Sequence, residues 1–167
     1  MIEPTCNEFR VPYFACRGYS SQSETWGAGR RFLDYLQNDQ RVIVLHIGDH
    51  DPSGLDMTRD NDDRLAMFSG NGDVTVKRLA LNYDQVRRYK PPPNPAKLTD
   101  SRAEKYIEEF GKSSWELDAL DPKVIAALIK DNIESEIDFD LWDAAVAAEE
   151  ATRLKLLRTA KNFKDAE

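Results

Sequence analysis

Asp49 and Asp51 are the residues of this chain best suited to chemistry, two carboxylates one residue apart in the run Gly48-Asp49-His50-Asp51-Pro52-Ser53-Gly54. Hard divalent cations such as magnesium or manganese take oxygen ligands and keep several waters, so one or two carboxylates plus substrate phosphates make a sufficient site. The same spacing suits an acidic surface turn in which one aspartate caps a helix beginning at Pro52. His50 stands between the aspartates, and alternation along an extended chain turns it away from the side they share. His46 lies inside an apolar run and is expected to be packed and hydrogen-bonded.

Other candidates surround this pair. Arg17 could grip a phosphate and Gly18 could allow close approach, although an ordinary turn would use the same two residues. Arg30 and Arg31 could contact a nucleic-acid backbone, but adjacent helical residues diverge, so at most one of them faces a site. Glu116, just before an apolar pair, reads as a helix-capping group. Lys97, Asp100, Ser101, Arg102 and Lys105 make a polar segment that serves as a substrate loop or as an exposed linker. Asp60, Asp62 and Asp63 lack the spacing of a calcium loop and read as a charged face. The sequence has no phosphate-binding glycine loop, no Ser/His/Asp order and no Cys/His zinc pattern.

Positioning the aspartates requires a strand before them and a helix after them. Arg41 to Gly48 is a continuous branched apolar run, suited to a parallel strand in the middle of a sheet and covered on both faces. Pro52 to about Phe68 reads as a helix, and Val74 to Ala80 alternates as a further strand. Upstream, Val11 to Cys16 reads as a short buried strand closed by Arg17-Gly18. Ser23 to Leu36 reads as a helix carrying Trp26, Phe32, Leu33 and Leu36 on one face, weakened by Gly27 and Gly29. This alternation is that of an α/β fold. Pro91 to Pro95 is stiff polyproline-like chain. From Asp121 the pattern turns helical, with a stripe of Val124, Ile125, Leu128, Ile129, Ile133 and Ile137 and a second helix from about Asp138 to Phe163.

Ile47 to Gly54, a strand running into Asp-x-Asp-Pro-x-Gly, resembles the Toprim family, most closely the version in the A subunit of topoisomerase VI and its meiotic relatives. Arg17-Gly18-Tyr19, then Arg30-Arg31-Phe32-Leu33, is similar to the turn and arginine-rich helix that precede the motif there. Trp115 to Leu120 resembles a downstream acidic stretch of that group, which places Glu116 near the site. The likeness covers roughly residues 11 to 130. It implies a Rossmann-like Toprim sheet of mainly parallel strands flanked by helices over 1–120, with 121–167 a C-terminal helical extension packed on it. It also implies magnesium (or manganese) held by Asp49 and Asp51, a nucleic-acid partner, DNA above all, and phosphodiester cleavage or transfer of a bacterial or phage kind.

The same resemblance demands a glutamate from a strand one helix before Val11. Ten residues precede Val11, and Glu3 and Glu8 fall where the intervening helix belongs. The expectation is therefore a missing first strand, with the glutamate or a nucleophile supplied by a partner domain or subunit. The alternative is a catalytically incomplete module that binds metal or nucleic acid, and the chain alone is not expected to be a topoisomerase.

The bulk properties agree with a globular protein: 167 residues, 41% hydrophobic and 32% charged, with no run near the roughly 18 apolar residues of a spanning helix. A net charge of −7 argues against coating nucleic acid by bulk electrostatics, while leaving room for a metal and a few placed arginines. Cys6 and Cys16 are too few for a disulfide framework and are expected to be reduced. A cytoplasmic location is expected, since the N-terminus lacks a secretory pattern.

Overall fold

The computed structural model describes residues 2–15, 18–70, 72–96 and 101–164. The chain divides into two compact units, Met1–Lys130 and Asp131–Glu167.

The first unit mixes helices with short strands. Helix α1 (Glu3–Glu8) is followed by an irregular stretch, then α2 (Gln22–Leu36), β1 (Val42–Ile47), α3 (Pro52–Phe68) and β2 (Val74–Ala80). After β2 come α4 (Tyr83–Tyr89), β3 (Asn94–Pro95), α5 (Ala103–Phe110), β4 (Ser113–Ser114), a 3-10 turn over Leu117–Ala119, and α6 (Pro122–Glu134), whose last turn belongs to the second unit.

Strands β1 and β2 pair in parallel, from Val42 opposite Val74 to His46 opposite Arg78, so α3 is the crossover that joins them. The pairing continues past the strand ends, where Gly48 donates to the Ala80 carbonyl at 2.8 Å and accepts from the Leu81 amide at 2.6 Å. β3 and β4 form a separate antiparallel pair, Asn94 with Ser114 and Pro95 with Ser113. Thus Pro91–Pro95, expected as stiff polyproline-like chain, ends in a two-residue strand.

Two strand expectations are corrected. Val11 to Ala15, the described part of the first expected strand, has no regular structure, and Pro12 to Ala15 are exposed. The Val11 amide is taken by the Cys6 carbonyl at 2.9 Å and Pro12 has no amide to give, so the segment cannot start a ladder. β1, expected in mid-sheet, has β2 as its one strand neighbour among the described residues, and its six residues are half-buried.

The helices start where their capping residues dictate. Ser21 opens α2 with a capping box, its hydroxyl accepting the Glu24 amide at 3.2 Å while the Glu24 carboxylate accepts the Ser21 amide at 3.4 Å. Gly29 sits against α3 so closely that a Cβ would fall 2.6 Å from Phe68 Cβ, which explains a glycine in mid-helix. The core of this unit collects Cys6, Phe9, Leu79, Leu81, Val86, Tyr106 and Ile125, with Leu81 and Ile125 fully buried. The buried Cys6 is a free thiol, as expected, and burial pushes its pKa up; Cys16 lies outside the described residues.

The second unit holds the end of α6 and the long helix α7 (Phe139–Lys164). The apolar stripe expected to reach Ile137 leaves the helix earlier, since α6 ends at Glu134. Asp138 caps α7, its Oδ1 accepting the amides of Asp140 and Leu141, each at 3.1 Å. No helix among the described residues is long and apolar enough to cross a membrane.

Candidate functional site

The acidic turn lies at the carboxyl end of β1, the position where open α/β sheets place ligands. Three features hold it. Asp51 is the N-cap of α3, its Oδ1 accepting the Gly54 amide at 2.6 Å and the Ser53 hydroxyl at 3.2 Å, with Pro52 in the first helical turn. Gly54 leaves no room for a side chain, because a Cβ there would stand 2.2 Å from the Asp49 carbonyl oxygen. Asp49 is exposed and reaches across to the later chain, its Oδ1 accepting the Leu117 amide at 2.8 Å.

His50 turns inward between them and is 1% exposed. Its backbone exchanges two hydrogen bonds with Trp115, at 2.8 and 3.0 Å, forming an isolated bridge that ties the turn to the segment after β4. Its ring lies among Tyr83, Tyr106, Phe110 and Trp115, with the Phe110 ring edge-on at 4.7 Å between centroids. The Tyr106 hydroxyl stands 2.9 Å from His50 Nδ1, from the His50 carbonyl and from the Ser113 carbonyl. Because the single hydroxyl proton goes to a carbonyl, Nδ1 is assigned the proton and donates to the Tyr106 oxygen. Burial, with Arg78 adding repulsion, lowers the His50 pKa, so the ring is neutral, and burial raises that of Tyr106. His50 is a structural pivot, turned away from the side the aspartates share.

Arg78, which the sequence reading did not single out, organises the floor of the turn. Its Nη2 donates to the carbonyls of Asp49 at 2.6 Å, Gly48 at 3.1 Å and Leu81 at 3.2 Å, and its Nη1 donates to the Gly54 carbonyl and the Thr58 hydroxyl at 2.9 and 2.8 Å. One guanidinium thus joins the end of β1, the start of α3 and the turn after β2. Burial lowers its pKa to about 10 against the opposing pull of Asp49 and Asp51, so it stays charged at neutral pH. Its Nε is buried without a hydrogen-bond partner. The signal was present in the strand's alternation, since Arg78 shares a face with Val74 and Val76, where an apolar residue is expected. His46 neighbours it, with Nδ1 2.9 Å from the Thr58 hydroxyl; burial and then Arg78 lower its pKa to about 4.

A second polar cluster lies one to two turns into α3. Asp56 accepts from the Tyr19 hydroxyl at 2.5 Å, from Arg59 Nε at 2.8 Å and from Arg102 Nη1 at 2.8 Å, and Arg102 also donates to the Tyr19 hydroxyl. These bonds, that from Arg59 foremost and that from Tyr19 next, hold the Asp56 carboxyl well below the usual range, while burial and Asp56 push Tyr19 up to about 12. The cluster brings the turn at Gly18, which has a positive φ of 88°, to the first half of α3. It also places Arg102 of the polar segment after the proline run against α3.

The other expected site residues distribute unevenly. Arg17, Lys97 and Asp100 lie outside the described residues. Glu116 is exposed, immediately before the Leu117 amide that binds Asp49, so its backbone is at the site. Arg30 and Arg31 are exposed on α2 next to Gly29, which packs on Phe68 at the far end of α3, roughly 24 Å along the helix from its start. The structure therefore does not gather them with the aspartates. Asp60 and Asp63 pair with Arg64 and Arg59 along α3, as expected of a charged face, whereas Asp62 accepts the Val76 amide of β2 at 3.3 Å.

A cation would find partial accommodation here. Asp49 uses one oxygen for the Leu117 amide, and Asp51 accepts the Gly54 amide on Oδ1 at 2.6 Å and shares the single Ser53 hydroxyl between Oδ1 and Oδ2 at 3.2 and 3.3 Å. Each carboxylate thus keeps lone pairs for a partly hydrated magnesium ion. Among the described residues no group of three or more His, Cys, Asp or Glu side chains is arranged to hold a metal, and Arg78 already brings a positive charge beneath the turn. Compared with protein-family models, curated proteins and solved structures, the chain shows no match to any.

Proposed function

We propose that this chain is a Toprim-like, magnesium- or manganese-dependent domain acting on the phosphodiester backbone of nucleic acid, DNA above all, with Asp49 and Asp51 as the metal-holding pair. The observation that carries the reading is the turn at the end of β1, where two carboxylates flank an inward-facing His50 and Gly54 sits hard under the Asp49 carbonyl. A bound cation would offset charge developing on phosphate oxygens. The protein's own residues supply position: Arg78 pins the turn from below, Asp51 fixes the start of α3, and Leu117 orients Asp49. Arg17 and Gly18 would serve the phosphate.

A second reading is a catalytically incomplete Toprim-fold module that binds metal or nucleic acid within a larger protein. It is favoured by the absence of a third metal-ligating side chain among the described residues and by the backbone amides already engaged by both aspartates. In this reading the chain binds without turnover, whereas in the first a partner domain or subunit supplies the further glutamate or nucleophile.

Calorimetry with magnesium and manganese, on wild type and on Asp49→Ala/Asp51→Ala, tests the site, and a plasmid-nicking assay on the same samples tests the chemistry. Binding and nicking lost together in the double variant support the enzyme reading. Binding without nicking supports the incomplete module, and a wild type that binds neither cation leaves the turn as a helix cap and overturns both metal readings.

A further inference from the structure

We propose that α7 is a self-association helix that pairs antiparallel with α7 of a second copy of this chain. Every residue from Asp143 to Phe163 is exposed. One stripe of the helix carries no charge along its whole length: Leu141, Ala145, Ala148, Thr152, Leu156, Thr159 and Phe163. Leu141, Leu156 and Phe163 are 70%, 66% and 74% exposed. The two threonines do not make the stripe polar, because their hydroxyls donate back to the helix, Thr152 to the Ala148 carbonyl at 2.9 Å and Thr159 to the Lys155 carbonyl at 3.1 Å. Their methyl groups remain as the outward surface.

The stripe repeats as 4-3-4, an 11-residue period close to the natural turn of a straight helix, so two such helices can stay in contact over the full length of about 39 Å. Thr152 is its midpoint. An antiparallel copy centred there sets Leu141 opposite Phe163, Ala145 opposite Thr159 and Ala148 opposite Leu156 of the second helix.

Charge selects the orientation and the occupant. From Phe139 to Glu150 the helix carries Asp140, Asp143, Glu149 and Glu150 and no basic residue. From Ala151 onward Arg153, Lys155, Arg158 and Lys161 follow with no acidic residue before the helix ends. An antiparallel copy lays the acidic half of each helix beside the basic half of the other, whereas a parallel copy stacks like on like. The helix dipole favours the same bias, but only within the first and last turns, and Glu149, Glu150 and Arg153 lie in mid-helix.

Sedimentation of the full chain over a range of concentrations tests the association. A monomer–dimer equilibrium is expected, weakened by salt and shifted at least tenfold toward monomer by Leu156→Glu and by Phe163→Glu. Circular dichroism of the same variants checks that α7 remains helical. Single cysteines test direction, with the native protein as the background for Cys6 and Cys16. Thr152→Cys is expected to form a disulfide-linked dimer on mild oxidation, and Leu141→Cys to do so only when mixed with Phe163→Cys. A chain that stays monomeric at about 100 μM, or a dimer untouched by both glutamates, overturns the proposal. Leu141→Cys linking readily to itself overturns the antiparallel arrangement.

Discussion

The turn at the end of β1 and the helix α7 are held in opposite ways. At the turn, residues distant in sequence converge on a few atoms: Arg78 on four carbonyls and Thr58, Trp115 on the His50 backbone, Leu117 on Asp49, and Gly54 under the Asp49 carbonyl. In α7 Arg153 bonds to Glu150 at 2.7 Å, and Thr152 and Thr159 bond to carbonyls four residues back, all within the helix. The contrast teaches where a substitution is felt. A residue at the turn serves several elements at once, so its loss leaves buried polar groups without donors, whereas a residue on α7 serves its own helical turn.

Arg78→Ala breaks the comparison most severely. It removes every guanidinium bond beneath the turn, and chemical denaturation is expected to show a loss of about 3 kcal/mol or more. Gly54→Ala comes next, since its Cβ has no place beside the Asp49 carbonyl; about 1–3 kcal/mol is expected from the same measurement. Asp51→Ala removes the α3 cap and is expected to cost about 1 kcal/mol, in addition to abolishing metal binding in the proposed reading. At the small end, Glu150→Ala in α7 is expected to leave the denaturation midpoint almost unchanged, as befits an exposed pair three residues apart. A larger loss for Glu150→Ala than for Asp51→Ala would erase the distinction between the two regions.

Acid sharpens the same comparison. His46 has a folded pKa of about 4, below its ordinary value near 6.5, so the unfolded chain binds the proton more readily. Its contribution is full above about pH 6.5 and is lost as pH falls toward 4. His50, also lowered, acts in the same direction. Stability is therefore expected to fall across that window, and His46→Gln to flatten the slope; an unchanged slope would mean that Arg78 and burial do not act on His46 as described.

Legibility followed the range of the interactions. Strand β1, the crossover helix α3 and strand β2 were readable because apolar periodicity and an aspartate-proline start are local signals. The Val11 segment was misread because its apolar and aromatic letters suit a strand, yet a strand exists only with a partner, and its amide at Val11 was taken by α1. Short elements such as α4, α5 and the β3–β4 pair carry too few residues for a period to show. Arg78 showed in the sequence only as a break in the apolar face of β2, because its role depends on carbonyls from three segments that periodicity cannot bring together.

By itself the sequence determined the paired carboxylates of the acidic turn, the starts of α3 and α7, and the charge division and uncharged stripe of α7, because each depends on neighbours within a turn or two. The tertiary structure decided that His50 is buried in an aromatic cage, that Asp49 meets Leu117, that Arg102 and Tyr19 converge on Asp56, and that Arg30 and Arg31 lie beside the far end of α3. Those outcomes rest on which distant segments pack together, and packing is set by the sum of burial and hydrogen bonding over the whole unit, which no local pattern contains.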